Sequence, residues 1–258
     1  MRKGYQAIQL FLILLFVILP VSGRASDKVR LTLVEYAPLM GKEIKGFGIE
    51  PAIVTAAFAK LNIETEYSLF PVARAYKSAK EGIYNGIVGF VWSEEREKSF
   101  YYSKPILQAP LLLFHLKMFH FDWETIDDLR GLTIGITAKN YYGPAFHKAL
   151  DAGILIVDEA SKDDIQFDKL IRGRIKVFPM NVYTGYYMIQ RKFNPEQAAL
   201  FTHHPRPLKT SLYHVLFSKT VKGNEKKVEL FNQGLQWVKE SGEYDRIIEE
   251  YKKKYNMK

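Results

Sequence analysis

Between Val29 and Trp92 the sequence switches between short β-branched runs and stretches of helical spacing, and this alternation confines the chain to the α/β class. Val29 to Tyr36 reads as a strand, and Ala37-Pro38 with Gly41, Gly46 and Gly48 makes a long loop after it. Ile53, Ala56, Ala57 and Leu61 mark a helix over 49–61, Glu64 to Phe70 a second strand, and Ala73, Tyr76 and Ala79 a second helix that starts at Pro71 and stops by Gly82. A buried strand over Ile87 to Trp92 completes β-α-β-α-β. Ser93-Glu94-Glu95-Arg96 then has the N-cap and early acids of a new helical turn. Arg96 therefore stands just beyond a strand's carboxyl end, where open α/β sheets bind ligands.

A second series follows an apolar extended stretch over Ile106 to Phe114. Trp123 to Leu129 reads as a short helix, and strands are expected at 132–136, 154–157 and 175–178, with helices at 143–150, 163–171 and 182–191. Pro205 and Pro207 predict a break, Ser211 to Phe217 a strand, and Glu225 to Glu240 and Tyr244 to Tyr255 two closing helices. Two similar halves imply two lobes, and composition alone permits two sequential domains.

The order G-x-Y-N-G, apolar strand, S-E-E-R-E-K-S-F-x-x-S-K-P, carried by Gly82 to Pro105, resembles the bacterial extracellular solute-binding proteins of family 3, the polar amino-acid type. Milder similarity runs from Val29 to Tyr255. The resemblance implies a two-lobed type II periplasmic binding protein fold, each lobe a mixed, mostly parallel sheet flanked by helices. Two hinge crossings would make lobe 1 residues 27–112 plus 212–258 and lobe 2 residues 113–211. It also implies that Arg96 clamps a ligand carboxylate, and Arg74 in P-V-A-R-A matches a second arginine frequent in a branch whose ligands are mostly unassigned. The implied function is capture of a small polar, carboxylate-bearing ligand for an ABC-type transporter. The competing readings are an enzyme on the same scaffold, resembling cyclohexadienyl dehydratases, and a ligand-sensing partner of a membrane signalling protein.

Tyr36, Trp92, Tyr141 and Tyr142 fall at strand ends or on the loops after them, as aromatic walls of small-molecule sites do. Asn140 and Tyr141 stand where the family often places a hydroxyl pair, ahead of a helix whose free N–H groups suit an anion. Asn181 stands where amino-acid binders usually carry an acid for the α-ammonium, and an amide offers no charge to balance one. Glu35 is a candidate replacement, and Glu35 and Glu94 are the acids expected near the cleft. Arg74, Arg96, the helix start after Tyr142 and the missing acid at Asn181 together predict an anionic or carboxylate-bearing ligand.

Arg2 and Lys3 before an apolar run from Leu10 to Val21, then Gly23-Arg24-Ala25, read as a signal peptide over 1–25, with a mature start near Ser26. The run of about twelve residues is short of the roughly twenty that span a bilayer. Cleavage would lower the formal charge of +9 by three. The chain has no cysteine, which removes thiol chemistry, disulfides and a lipid-modified cysteine, so a free periplasmic monomer is expected. Lys222, Lys226, Lys227 and Lys252 to Lys254 alternate with glutamates on helices, a solvated face and not a nucleic-acid groove. Gly46-x-Gly48 lacks the third glycine of a dinucleotide loop. His115, His120, His147, His203, His204 and His214 show no metal-ligand spacing, no hydrolase or phosphate-loop motif occurs, and no metal or cofactor is expected.

Overall fold

The computed structural model describes residues 27–138 and 140–256; the expected signal peptide lies outside them. Lobe 1 begins with β1 (Asp27–Leu33), α1 (Ile49–Ala59), β2 (Ile63–Leu69), α2 (Val72–Lys80) and β3 (Gly86–Phe90). β1 pairs parallel with both β2 and β3, so the expected β-α-β-α-β order holds. β3 ends two residues before Trp92 because Gly89 turns to φ 84° at a register shift against its partner strand, and a left-handed bulge ends the ladder. Ser93 caps α3 (Glu94–Glu97), its hydroxyl accepting the Arg96 N–H.

β4 (Phe100–Tyr102) and β5 (Leu107–Leu116) follow, and β5 pairs antiparallel with β9 (Phe201–Ser218) along its whole length, from Leu107↔Tyr213 to Leu116↔Phe201. β9 is eighteen residues long, roughly 60 Å at about 3.3 Å per residue. Its end pairs with β3 and β4, and β5 pairs in turn with β8 (Phe178–Asn181), giving the order β2-β1-β3-β9-β5-β8. The β5–β9 ribbon is the link between the lobes. The break expected at Pro205 and Pro207 does not occur. Pro207 faces Leu112, and the register shifts on either side of Leu112, so the missing proline N–H groups fall where the ladder is already irregular.

Lobe 2 adds a parallel pair, β6 (Thr133–Thr137) and β7 (Ile156–Ala160), with α4 (Pro144–Asp151), α5 (Asp163–Ile171), α6 (Val182–Lys192) and α7 (Pro195–Ala198). The strand expected at 175–178 sits three residues later. Residues 176 and 177 only bridge to β6, through Lys176 N to Thr133 O and Gly135 N to Val177 O, and the ladder proper forms when the segment reaches β5. The helix expected at 123–129 is a 3₁₀ turn, Ile126–Leu129, closed by a Thr125/Asp128 capping box. α8 (Asn224–Glu240) and α9 (Glu243–Lys254) return to lobe 1.

Each lobe has an aromatic core. Phe58, Phe217 and Phe231 meet at ring separations of 5.0–6.3 Å where α1 and α8 cover the sheet. Gly234 allows that approach, since a Cβ there would lie 2.1 Å from the Ala57 carbonyl oxygen. In lobe 2, Phe167 packs edge-on against Phe114, Phe178 and Phe201.

Candidate functional site

A strand's side chains alternate between faces, so Ala109 and Leu111 of β5 and Lys209, Ser211 and Tyr213 of β9 share one face of the ribbon. They form the floor of a cavity of ≈ 200 Å³. Tyr36 enters from the β1 side, held by a tight reversal in which Tyr36 and Met40 exchange backbone hydrogen bonds of 2.9 and 3.0 Å. Asn140, Tyr141, Tyr142, Asp163, Pro179, Met180 and Asn181 close it from lobe 2. Five of the residues singled out from the sequence, Tyr36, Asn140, Tyr141, Tyr142 and Asn181, thus meet in one place.

The loop after β6 is pinned by its own aromatics. The Thr137 N–H donates to the Tyr142 hydroxyl at 2.7 Å, the Tyr142 N–H to His147 Nε2 at 3.1 Å, and Tyr141 stacks on the His147 ring at 4.9 Å. Asn140 Nδ2 donates to Asp163 Oδ1 at 3.3 Å. Asn181 also holds the backbone in place, because its Oδ1 accepts the N–H groups of Tyr183 (3.0 Å) and Thr184 (3.4 Å) and so caps α6. An acid and an amide cap a helix about equally well, so Asn181→Asp would alter the charge of this wall and spare the cap. We expect Asn181→Ala to cost about 1 kcal/mol through the lost cap and Asn181→Asp to leave the urea midpoint nearly unchanged.

Burial raises the phenol pKa of both Tyr36 and Tyr213, so each stays a neutral donor in the wall. Behind them lies Glu50, second residue of α1, fully buried, with neither carboxylate oxygen hydrogen-bonded. Desolvation pushes its pKa up to about 8. Gly89 makes room for it: a Cβ there would sit 2.3 Å from Glu50 Oε2.

Arg96, Arg74 and Trp92 stand outside this cavity. Arg96 has Glu94, Glu95 and Glu97 in its own helical turn and ion-pairs with none; its Nη1 donates to the Val91 carbonyl at 3.0 Å and its guanidinium lies over Phe90, centroid 5.2 Å away. A small hollow beside it is lined by Val72, Ala73, Tyr76, Phe90 and Glu95. Arg74 lies over the Phe70 ring at 4.5 Å, and Trp92 is 57% exposed. The acids expected near the cleft are elsewhere: exposed Glu35 accepts the Lys42 N–H within its own loop, Glu94 is exposed on α3, and neither lines the cavity. Asp163 does, with Lys209, Ser211 and Tyr213, all four missed from the sequence. The period-two pattern Lys209, Ser211, Tyr213 was the available signal, obscured by the expected break at the prolines. Among the described residues no cluster of three histidines, cysteines or acids is arranged to hold a metal, and no helix is long and apolar enough to cross a membrane.

No curated protein sequence matches the chain significantly. Among solved structures, the second substrate binding domain of Lactococcus lactis GlnP, in its open conformation, superposes with TM-score 0.73 at 19% identity, covering 88% of this chain and 96% of that one. The probable amino-acid ABC transporter extracellular-binding protein ytmK of Bacillus subtilis gives 0.71 at 15% identity, covering 87% and 97%. A histidine kinase sensor domain with similarity to periplasmic binding proteins gives 0.60 at 16% identity, covering 88% and 97%. These likenesses establish the two-lobed type II periplasmic binding fold. The family profile spans both lobes, matching residues 32–254, and the chain belongs to the bacterial extracellular solute-binding proteins, family 3.

Proposed function

We propose that this solute-binding protein works in the periplasm, closing lobe 1 (27–112 and 212–258) and lobe 2 (113–211) around a small polar, carboxylate-bearing solute and delivering it to an ABC-type membrane transporter. The observation that carries this reading is the convergence of Tyr36, Asn140, Tyr141 and Asn181 on one polar cavity along the β5–β9 ribbon. Two long antiparallel strands are a connection about which lobes can bend without breaking either core. Arg96 and Arg74 have no carboxylate partner among the described residues, so their charge is available to a ligand. Similar structures described as putative or probable amino-acid ABC transporter binding proteins support the transport partner. The apolar run ahead of the described residues supports export. The histidine kinase sensor domain keeps a signalling partner as the second reading, which uses the same cleft and differs only in the membrane protein it docks on.

A thermal-shift screen of amino acids, dicarboxylates and small sugars tests the reading, because a ligand that binds only the folded state raises its melting temperature. We expect carboxylate-bearing compounds to raise it and neutral sugars to leave it unchanged; a screen in which no carboxylate does so overturns the reading. The best compound should also lower the radius of gyration in small-angle scattering, as lobe closure requires. An unchanged radius at saturation would rule closure out.

A further inference from the structure

The lobe-2 side of the cavity contains a cation to which solute capture by Arg96 gives no role. Lys209 projects from β9 on the face it shares with Ser211 and Tyr213, opposite Leu111. Its stem passes α4's N-cap, where a Cβ on Gly143 would lie 3.7 Å from Lys209 Cδ. The ammonium donates to the Tyr141 carbonyl oxygen at 2.7 Å and stands 5.0 Å from the centre of the Tyr141 ring. An ammonium has three donors, and this arrangement accounts for one. None of the ion pairs among the described residues includes Lys209. Asp163, the carboxylate in the same wall, is bonded to Asn140 instead. Burial holds the Lys209 pKa below the usual lysine value, as it does for a charge whose compensation is incomplete. The Tyr141 contacts fix the direction of a side chain that is otherwise the most flexible cation available to a protein. A positioned, partly desolvated ammonium facing a polar cavity is a receptor for an anionic group.

We propose that Lys209 recognises a second anionic group of the solute, so that the closed cleft selects molecules with two carboxylates, one held by Lys209 in the cavity and the other taken by Arg96 when the lobes close. This rests on the solute-binding reading and adds to it the charge at the solute's other end. Asp163 gives the same wall a partner for an ammonium, so a plain diacid and an acidic amino acid share the chemistry that Lys209 reads.

Calorimetry with glutarate, L-glutamate and L-glutamine tests the proposal, since glutamine keeps glutamate's skeleton and replaces its distal carboxylate with a neutral amide. We expect the wild-type protein to bind glutarate or glutamate at least about tenfold more tightly than glutamine, the scale of one charge-assisted hydrogen bond. Lys209→Met should shrink that ratio to within about threefold, while Lys209→Arg keeps most of it. Asp163→Asn should weaken glutamate relative to glutarate, because glutamate alone brings an ammonium to that wall. Circular dichroism and the melting temperature of each variant separate lost selectivity from lost folding. A wild-type protein that binds glutamine as well as the two diacids, or a Lys209→Met variant that keeps the full preference, overturns the role of Lys209. If glutamine or another monocarboxylate binds and the diacids do not, the carboxylate reading stands and only this inference falls. If no carboxylate of any kind binds, both fall.

Discussion

Arg96→Ala abolishes measurable binding of whichever carboxylate most raises the wild-type melting temperature, a loss of more than about a hundredfold in calorimetry. Three neighbouring glutamates would ordinarily satisfy an arginine, yet the Arg96 guanidinium ion-pairs with none of them, gives one N–H to Val91 O and rests on Phe90. The fork of a guanidinium matches a carboxylate through two parallel hydrogen bonds, each worth about 1.5–3 kcal/mol where water is excluded. Losing both therefore removes most of the affinity of a micromolar ligand. Arg96→Lys should recover only part of it, because a point charge cannot make the paired contact. Arg74→Ala should hurt less, since its guanidinium is exposed on α2 over Phe70 and has no second contact to fix its direction. Unfolding is not an alternative explanation for the Arg96 loss, because the side chain makes one hydrogen bond, to a strand-end carbonyl. Wild-type affinity in Arg96→Ala would transfer the carboxylate role to another cation of the cleft.

Local signals in the chain succeed where a local cause decides the structure. Ser93 caps α3 because a hydroxyl ahead of a helical turn can reach the N–H three residues on, and that needs no partner from elsewhere. The β-α alternation likewise reports burial on one face of each element. Pro205 and Pro207 mislead for the opposite reason. Whether a proline ends a strand depends on where its missing N–H falls in a ladder made with β5, about ninety residues earlier, and that register is invisible before the fold exists. Lys209 and Asp163 escape notice for the same non-local cause. Each looks like an ordinary surface charge in sequence, and only the folding of β9 against β5, with α5 brought alongside, turns them toward Tyr36 and Asn181. The duty of Asn181 as the α6 cap was not legible, because the strand before it was expected three residues too early.

Glu50 supplies the second large effect, a dependence of stability on pH that one substitution should remove. Its carboxyl is fully buried, both oxygens lack hydrogen-bond partners, and the groups facing it are Met40, Gly89 and the phenols of Tyr36, Tyr213 and Tyr244, with no cation among them. Desolvation raises its pKa from 4.5 to about 8 in the folded protein. Between those values the folded state holds a proton that the unfolded chain has released, so stability falls as pH rises through the window and levels off above about 8. At about 1.4 kcal/mol per pKa unit, the penalty accumulated across it is on the order of 3–5 kcal/mol. Glu50→Gln keeps the shape and removes the titration. Urea denaturation at pH 5 and pH 8 should therefore show the variant gaining on the wild type by about that amount, while every other titrating group contributes equally to both proteins and cancels. Parallel stability profiles would mean that Glu50 finds a partner or water in solution.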